Sequence, residues 1–452
     1  MTYEMHEKEA LPRTLDGWLQ LVEQRSPERV IDLGLERVRA VAARMGLRVG
    51  VPVFTVAGTN GKGSVCALLE AMLRAAGSRT GVYTSPHLLR FEERCRIDGR
   101  DAAPEALADS FARVEAARGD APLTYFEFTT LGVLDALTRA GVDALILEVG
   151  LGGRLDAVNI IDADCAILAS IGLDHTHLLG ATLDDIGREK AGIMRAGRAA
   201  IICDAQPPAS VLAHAADIGA DAWLAGRDFS SQSDGQQWTW EGRGQRVDSL
   251  PLPTLPGAHQ LGNAAGAIAA LQALKARLPV PEEAIRAGLR AATLTGRLQV
   301  LPASGESPQV VLDVAHNPQA ATALAQALRA LDAEGAAPRT HAVFGAMADK
   351  DVAGVLACLD DAVDAWYFCG LPTPRAASAP QLLDIWRAAT KRGNVAHAAA
   401  FDTPAQALDA AARACGSADR IVVFGSFYTV AGVLAQGAPR IRAGQGAAFS
   451  AS

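Results

Sequence analysis

Gly58-Thr-Asn-Gly-Lys-Gly-Ser64 joins a short β-branched run, residues 51–57, to a helical pattern carried by Val65, Leu68, Leu69, Met72 and Leu73. Strand, glycine loop and helix in that order make a phosphate cradle. The glycines let backbone N–H groups turn inward, and the helix N-terminus adds partial positive charge. Lys62 can reach β and γ phosphates as a point charge, and Ser64 or Thr59 offers a hydroxyl near a metal. The strict GxxxxGK(S/T) pattern is not met, because Gly63 follows Lys62 and the first glycine stands too close. A plain glycine-rich strand-to-helix turn therefore stays open beside ATP binding.

Glu148 lies inside the apolar run Leu145-Ile-Leu-Glu-Val149, just before a glycine loop ending at Arg154. An unpaired carboxylate is costly to bury there. Mg2+ would relieve that cost, and so would pairing with Arg154 or a lysine. Asp174, His175 and His177 follow another apolar run, at a strand end of the kind where ligands collect in open α/β sheets. Mg2+ prefers oxygen ligands, which makes His175 the unexpected member. Lys190, one helix later and beside Glu189, reads by itself as a solvated lysine in a capping ion pair. Ser85-Pro-His87 and Asp313-Val-Ala-His-Asn-Pro318 also close strands with polar groups. Asn317-Pro318 starts a helix whose N–H groups point back toward Asp313 and His316.

These groups need elements to hold them. Residues 14–46 read as helical. Apolar strand-like runs at 144–149, 165–171 and 199–203, separated by helical patterns, predict a parallel sheet covered on both faces. Between residues 228 and 255 the texture turns to Ser, Gln, Gly and Trp, and Trp238-Thr-Trp240 alternates as an antiparallel hairpin does. Helices are expected at 259–276 and 281–291. After Gly296-Arg297 the alternation restarts, with strands at 309–314, 341–345, 365–369 and 420–425. Helices are expected between them at 318–331, 351–359, 379–389 and 403–414. The expected fold is α/β: an ATPase domain with a P-loop-type parallel sheet over 1–295, a smaller Rossmann-like domain over 296–436, and a flexible tail over 437–452. No internal repeat is visible.

Half of the 452 residues are hydrophobic and 20% are charged, which excludes wholesale disorder. A net charge of −8 argues against a nucleic-acid binder. The seven cysteines are scattered without a CxxC pair, so neither a disulfide framework nor a zinc ribbon is expected, and a reducing compartment fits. The charged N-terminal stretch lacks the apolar core of a secretory signal. No apolar run of about 18 residues is present. The expectation is a cytoplasmic protein with no membrane partner.

Nine segments in chain order carry a resemblance: GTNGKGS (58–64), YTSPHL (83–88), LTYFEFTTL (123–131), LEVGLGGRLDAVN (147–159), SIGLDHTHLLG (170–180), IGREKAGI (186–193), GRLQ (296–299), DVAHNP (313–318) and GSFYTV (425–430). Together they resemble the folylpolyglutamate synthase and dihydrofolate synthase family, within the wider Mur-type amide ligases. LTYFEFTTL is similar to the bifunctional bacterial members, which use both dihydropteroate and reduced folates. The resemblance implies that Thr59, Asn60, Gly61, Lys62, Gly63 and Ser64 hold the ATP phosphates. It implies Ser85 and Glu148 as ligands of one Mg2+ and His175 of a second. Lys190 would be the family's carbamylated lysine near the metal, which reverses the reading of that residue as solvated. Thr124, Tyr125, Phe126 and Glu127, with Leu155, Asp156 and Ala157, would line the pterin site. Asn263, Arg297 and Asp313 would contact ATP, and His316 would lie near the glutamate and phosphate end, as base for the glutamate amine or as a phosphate-positioning group.

The activity so implied is ATP-dependent addition of L-glutamate, through an acyl phosphate, to dihydropteroate and to the γ-carboxylate of reduced folates. ATP and two Mg2+ ions would be needed, and a monovalent cation is a further candidate. The substrates are small molecules, and a two-domain closing enzyme needs no partner, so a monomer is expected. A monofunctional folylpolyglutamate synthase and a cell-wall Mur ligase remain alternatives. For the latter, about 50 residues ahead of the first strand are few for a UDP-sugar domain. A non-catalytic P-loop switch would not need Glu148, His175, Lys190 and Asp313 together.

Overall fold

The computed structural model describes residues 11–27, 30–303, 308–333, 339–390 and 397–435. The tail expected at 437–452 lies outside them.

Eight strands form the first sheet: β1 (Val53–Ala57), β2 (Thr80–Tyr83), β3 (Cys95–Ile97), β4 (Arg100–Asp101), β5 (Ala144–Glu148), β6 (Cys165–Leu168), β7 (Ala199–Ile202) and β8 (Asp221–Leu224). Their order is β4-β3-β2-β5-β1-β6-β7-β8. The pairings from β2 through β8 are parallel, and β3 and β4 add an antiparallel edge. Both faces are covered, so strand β1 is apolar along its length except for Thr55, and alternate residues enter different cores. Val53 and Ala57 join one core, and Phe54 and Val56 join the other.

Strands β9 (Phe229–Ser233), β10 (Gln237–Gly242) and β11 (Gln245–Pro251) make a small antiparallel sheet in the order β11-β10-β9. The expected hairpin is thus its β10–β11 part. The third strand, Phe-Ser-Ser-Gln-Ser, has one apolar residue and no alternation to reveal it. Trp238 and Trp240 are buried, and their indole N–H groups donate to the carbonyls of Pro251 and Ala265. Trp238 thus ties β10 to β11, and Trp240 fastens the small sheet to helix His259–Ala273.

The second large sheet holds β12 (Gln299–Leu301), β13 (Gln309–Leu312), β14 (Thr340–Phe344), β15 (Ala365–Cys369), β16 (His397–Phe401) and β17 (Arg420–Phe424), in the order β12-β13-β17-β14-β15-β16. All neighbours are parallel except the edge strand β12. Alternation again feeds two cores: Ala342, Phe344, Val422 and Phe424 on one side, Val343, Ile421 and Val423 on the other. This is the Rossmann-like half expected after Gly296.

The stretch 14–46 is two helices, Leu15–Arg25 and Glu36–Met45, not one. Ser26 and Pro27 end the first, since a proline cannot continue the hydrogen-bond ladder. Helix Glu282–Ala291 lies so close to helix Lys62–Ala75 that a Cβ on Gly288 would stand 2.6 Å from the Met72 backbone. Among the described residues, no helix is long and apolar enough to cross a membrane.

Candidate active site

The C-terminal ends of the two large sheets face one cavity of about 670 Å³. Loops after β1, β2, β5 and β6 supply one wall, and loops after β13, β14 and β17 supply the other. Strand β1 has β5 on one side and β6 on the other, so the glycine loop opens at a switch point of the sheet, where crevices form.

The glycine loop turns into helix Lys62–Ala75 through Gly61, whose φ of 86° lies in the left-handed region. A side chain there would also meet Asn263, since its Cβ would stand 2.7 Å from Asn263 Oδ1. Thr59 is pinned to the loop after β6. Its N–H donates to the Ser170 carbonyl, its hydroxyl donates to the Gly172 carbonyl, and it accepts from Gly172 N–H. Ser64 Oγ accepts from Gln260, which in turn accepts from Asn263 Nδ2. Lys62 Nζ curls back to the Gly58 and Thr59 carbonyls at 3.0 and 3.3 Å. Lys190 Nζ donates to the same Gly58 carbonyl at 3.0 Å.

Lys190 is 5% exposed, which overturns its reading as a solvated helix lysine. Its neighbour Glu189 faces outward and takes Arg154 instead. Burial, reinforced by the Lys62 charge, pulls the Lys190 amine down to about 7. Burial also lowers Lys62, with Glu148 opposing it. Two ammonium groups on one carbonyl repel, and Lys190 is the one placed to lose its proton near neutrality.

Glu148 is not paired with Arg154. Oε2 accepts from the Ser85 N–H at 3.1 Å, and no lysine or arginine nitrogen among the described residues forms an ion pair with it. Burial raises its carboxyl, opposed first by Lys62. A buried carboxylate with a single backbone partner, beside the Ser85 backbone, is a donor set that suits a hard divalent cation. His175 takes up a left-handed conformation, with φ of 49°. Burial and the nearby Lys350 hold its imidazole down at about 4, so it is neutral and able to ligate across the physiological range.

The opposite wall carries Arg297, Asp313 and His316. Asp313 accepts from Leu298 N–H and Ala315 N–H, both at 2.7 Å, which fixes the turn leaving β13. Arg297 lies over the Phe427 ring at 4.9 Å from its centroid. His316 Nδ1 lies 2.8 Å from the Val314 carbonyl; a carbonyl only accepts, so Nδ1 carries the proton and Nε2 faces the cavity.

The two walls already touch. Asn60 and Asn317 exchange amide hydrogen bonds at 3.1 and 3.2 Å, and Asn60 also donates to Gln319. Asp174 accepts from Lys350 at 2.5 Å and has His316 Nε2 at 3.4 Å. Lys350 also donates to His175 Nε2 at 3.2 Å. Burial would raise the Asp174 carboxyl, but a hydrogen bond from His316 Nε2 in its protonated form and the Lys350 charge hold it well below the usual carboxylate range. Sequence reasoning missed Lys350, Gln260 and Gln319. Their only signals are positions: a loop after a predicted strand for Lys350, and neighbours of Asn263 and Asn317 for the glutamines. Asp174→Asn removes the charge partner of a buried lysine, a loss of about 3–5 kcal/mol in the closed arrangement. Domain opening relieves part of it. Steady-state kinetics should show kcat/KM falling about 10- to 100-fold, and small-angle scattering should show a larger radius.

The segments expected to bind pterin do not line this cavity. Thr124 caps helix Tyr125–Arg139 in a reciprocal box with Glu127, and Glu127 also takes Arg37 at 2.8 Å. Tyr125 is buried, and Leu155 and Ala157 flank Asp156 in the loop after β5. Asp156 accepts from the N–H groups of Gly150, Leu151 and Val158, and burial pushes its carboxyl up to about 6. Phe126 stacks on Tyr83 and closes on Gly150, where a Cβ would stand 2.6 Å from its ring. Gly150 and Leu151 do line the cavity, so both segments stand directly behind its wall.

Two family models match the chain: the Mur ligase middle domain over residues 56–271, and the Mur ligase glutamate ligase domain over residues 296–427. The chain is 46% identical to the dihydrofolate synthase/folylpolyglutamate synthase of Escherichia coli K12 over 421 residues, covering 93% of this chain and 94% of that one. Its fold is similar to that of Escherichia coli FolC in complex with DHPP and ADP, with a TM-score of 0.86, 45% identity and coverage of 94% and 97%. It is likewise similar to a bifunctional folylpolyglutamate synthase/dihydrofolate synthase from Yersinia pestis complexed with AMPPNP and Mn ion, with a TM-score of 0.85, 44% identity and coverage of 95% and 99%. With 46% identity across 93% of the chain and both Mur ligase models matched in order, the chain belongs to the dihydrofolate synthase/folylpolyglutamate synthase family of Mur ligases.

Proposed function

We propose that this chain is an ATP-dependent ligase that adds L-glutamate to dihydropteroate, giving dihydrofolate, and to the γ-carboxylate of reduced folates. The observation that carries this reading is the convergence on one cavity of Lys62, Glu148, His175, Lys190, Asp313 and His316, drawn from both sheets. The relatives bound to ADP, or to AMPPNP with Mn, support ATP and a divalent metal as the cofactors.

ATP supplies the phosphoryl group that turns the acceptor carboxylate into an acyl phosphate, and the divalent ions neutralise charge on that group. The remaining work falls to side chains. The loop N–H groups of residues 59–64 and Lys62 hold phosphate oxygens. Glu148, the Ser85 hydroxyl and His175 are the donors for metal, and Lys190 joins them once carbamylated. Arg297 and Asp313 bring the second sheet onto the nucleotide, opposite Asn263. His316 Nε2, with its proton fixed on the other nitrogen, is the atom able to accept a proton from the glutamate amine or to hold phosphate. The pterin is assigned to the segments behind the wall, with Phe126 and Asp156 shaping the Gly150-Leu151 turn. Closure of the two sheets keeps water from the acyl phosphate.

We assign the active form to a monomer, since both walls of the cavity come from one chain. We assign the chain to the cytoplasm, in keeping with seven unpaired cysteines. The test is ADP release with MgATP, L-glutamate and either dihydropteroate or tetrahydrofolate, on a preparation whose mass is read by light scattering. Turnover with both acceptors at the mass of one chain is expected. Turnover with tetrahydrofolate alone would leave a monofunctional polyglutamylase, and no glutamate-dependent turnover would sink the ligase assignment.

A further inference from the structure

The N-terminal end of the second sheet, opposite the cavity, holds a cluster that the ligase reaction does not use. His341 stands near the start of β14, and Asp419 directly precedes the neighbouring strand β17. Cys415 closes helix Pro404–Ala414, with its N–H on the Ala411 carbonyl. A tight turn brings Cys415 and Asp419 together: Asp419 N–H donates to the Gly416 carbonyl, and Gly416 N–H donates back to Asp419 Oδ2 at 2.7 Å.

His341 is 2% exposed, Cys415 0% and Asp419 8%. One donor atom from each lies within 4.8 Å of the others. His341 Nε2 is buried and has no hydrogen-bond partner. It points at Asp419 Oδ2 from 3.7 Å, too far for a hydrogen bond. Tetrahedral Zn2+ with bonds of about 2.0–2.3 Å sets its donors roughly 3.3–3.6 Å apart. The gap that is too wide for a hydrogen bond is therefore within a few tenths of an ångström of the gap a shared ion requires. The ring is also braced as a ligating imidazole is, since Nδ1 lies 3.2 Å from the Tyr367 hydroxyl.

We propose that His341, Cys415 and Asp419 bind a divalent ion of the zinc class, with water in the fourth position. Thiolate and imidazole together select Zn2+ over Mg2+ or Ca2+. The thiol proton leaves to solvent as the sulfur–metal bond forms, and the thiolate and carboxylate balance the ion's two charges. The ion would staple the turn after helix Pro404–Ala414 to β14. At their other ends, β14 and β17 lead to Lys350 and Gly425 on the cavity wall. The proposal does not depend on which substrate the ligase uses.

The test uses the full chain, stripped with EDTA and titrated with Zn2+ against a chromophoric chelator, and in parallel loaded with Co2+. One tight Zn2+ equivalent is expected, along with a thiolate-to-cobalt charge-transfer band. Both should vanish in Cys415→Ala and persist in His175→Ala, which alters the catalytic cavity only. Asp419→Asn keeps an oxygen to accept from Gly416 N–H and so keeps the turn; its Zn2+ affinity should fall at least tenfold while circular dichroism stays native. Zn2+ should also raise the melting temperature of the wild type and not that of Cys415→Ala. Absence of a tight equivalent in the wild type overturns the site. So does an equivalent that survives Cys415→Ala, or one whose cobalt form lacks the thiolate band.

Discussion

Lys62→Ala should lower kcat for glutamate-dependent ADP formation about 10³-fold, equivalent to ~4 kcal/mol of transition-state stabilisation. The size follows from where the charge sits. Lys62 begins helix Lys62–Ala75 and is the cation of the glycine loop, and Nζ hangs over the Gly58 and Thr59 carbonyls. Charge spreading over a transferring phosphoryl group would meet Nζ in a site with little water, where electrostatic terms are large. Folding should be spared. The lysine is half-buried at a cost to its charge, and its two carbonyl partners line a cavity that water can enter. Lys62→Met separates shape from charge, since it keeps most of the stem and removes the ammonium. If Lys62→Met retains more than about a tenth of the wild-type kcat, Lys62 is a packing residue and its assigned role fails.

Lys190→Ala is expected to be nearly as severe, at about 10²- to 10³-fold, and its cause can be read from pH. With an amine held near 7, Lys190 is free base above that value and an ammonium below it. Only the free base adds CO2, by forming the N–C bond and releasing one proton, to give an anionic carbamate. Activity at a fixed CO2 level should therefore fall as pH drops through 7, and above 7 it should be low in CO2-depleted buffer and recover on adding bicarbonate. His175, held at about 4, does not titrate in that window. Asp156, at about 6, begins to only at its lower end. Lys190→Ala should show no bicarbonate response. A wild-type profile flat through pH 7, or a variant that keeps the response, would remove Lys190 from this role. The same shift acts on stability with a definite sign. The folded-state value lies below the ordinary 10.5, so the unfolded chain binds the extra proton between about 7 and 10.5. Burying the unmodified lysine thus costs most below 7, and the cost fades as pH rises toward 10.5. Lys190→Met should melt higher than the wild type at pH 6.5, and by a smaller margin at pH 9.

The glycine loop was readable because its chemistry is contiguous: seven residues carry the turn, the lysine and the hydroxyls together. Strands β1, β5, β14, β15 and β17 were readable because burial on both faces leaves an apolar run. Strands β3, β4, β8, β12 and β16 were not. Each has two to five residues, and β4 and β16 lie at sheet edges and are largely exposed, where no apolar pattern is imposed. The character of Lys190 was hidden for a different reason. Its helix is amphipathic and Arg188 and Glu189 precede it, while the Gly58 carbonyl that takes its Nζ lies 132 residues away. The role of Lys350 could not be inferred from its loop position, because its carboxylate partner is 176 residues away. The His341 cluster shares that obstacle, since its histidine lies on β14 and its cysteine at the end of helix Pro404–Ala414.

The lysines that meet on the Gly58 carbonyl have one more consequence, which concerns turnover. A site whose cations are already satisfied is not a vacant receptor, and nucleotide binding there is an exchange in which phosphate displaces an internal ligand. The exchange lowers apparent affinity for ATP by whatever the internal contacts are worth. It also runs in reverse when ADP and phosphate leave: Lys62 falls back on Gly58 and Thr59, and Asp174 falls back on Lys350, so departing products strand no naked charge. For an enzyme that must let go of ADP, phosphate and a lengthened acceptor in every cycle, a scaffold that reclaims its own side chains lowers the free-energy cost of product release.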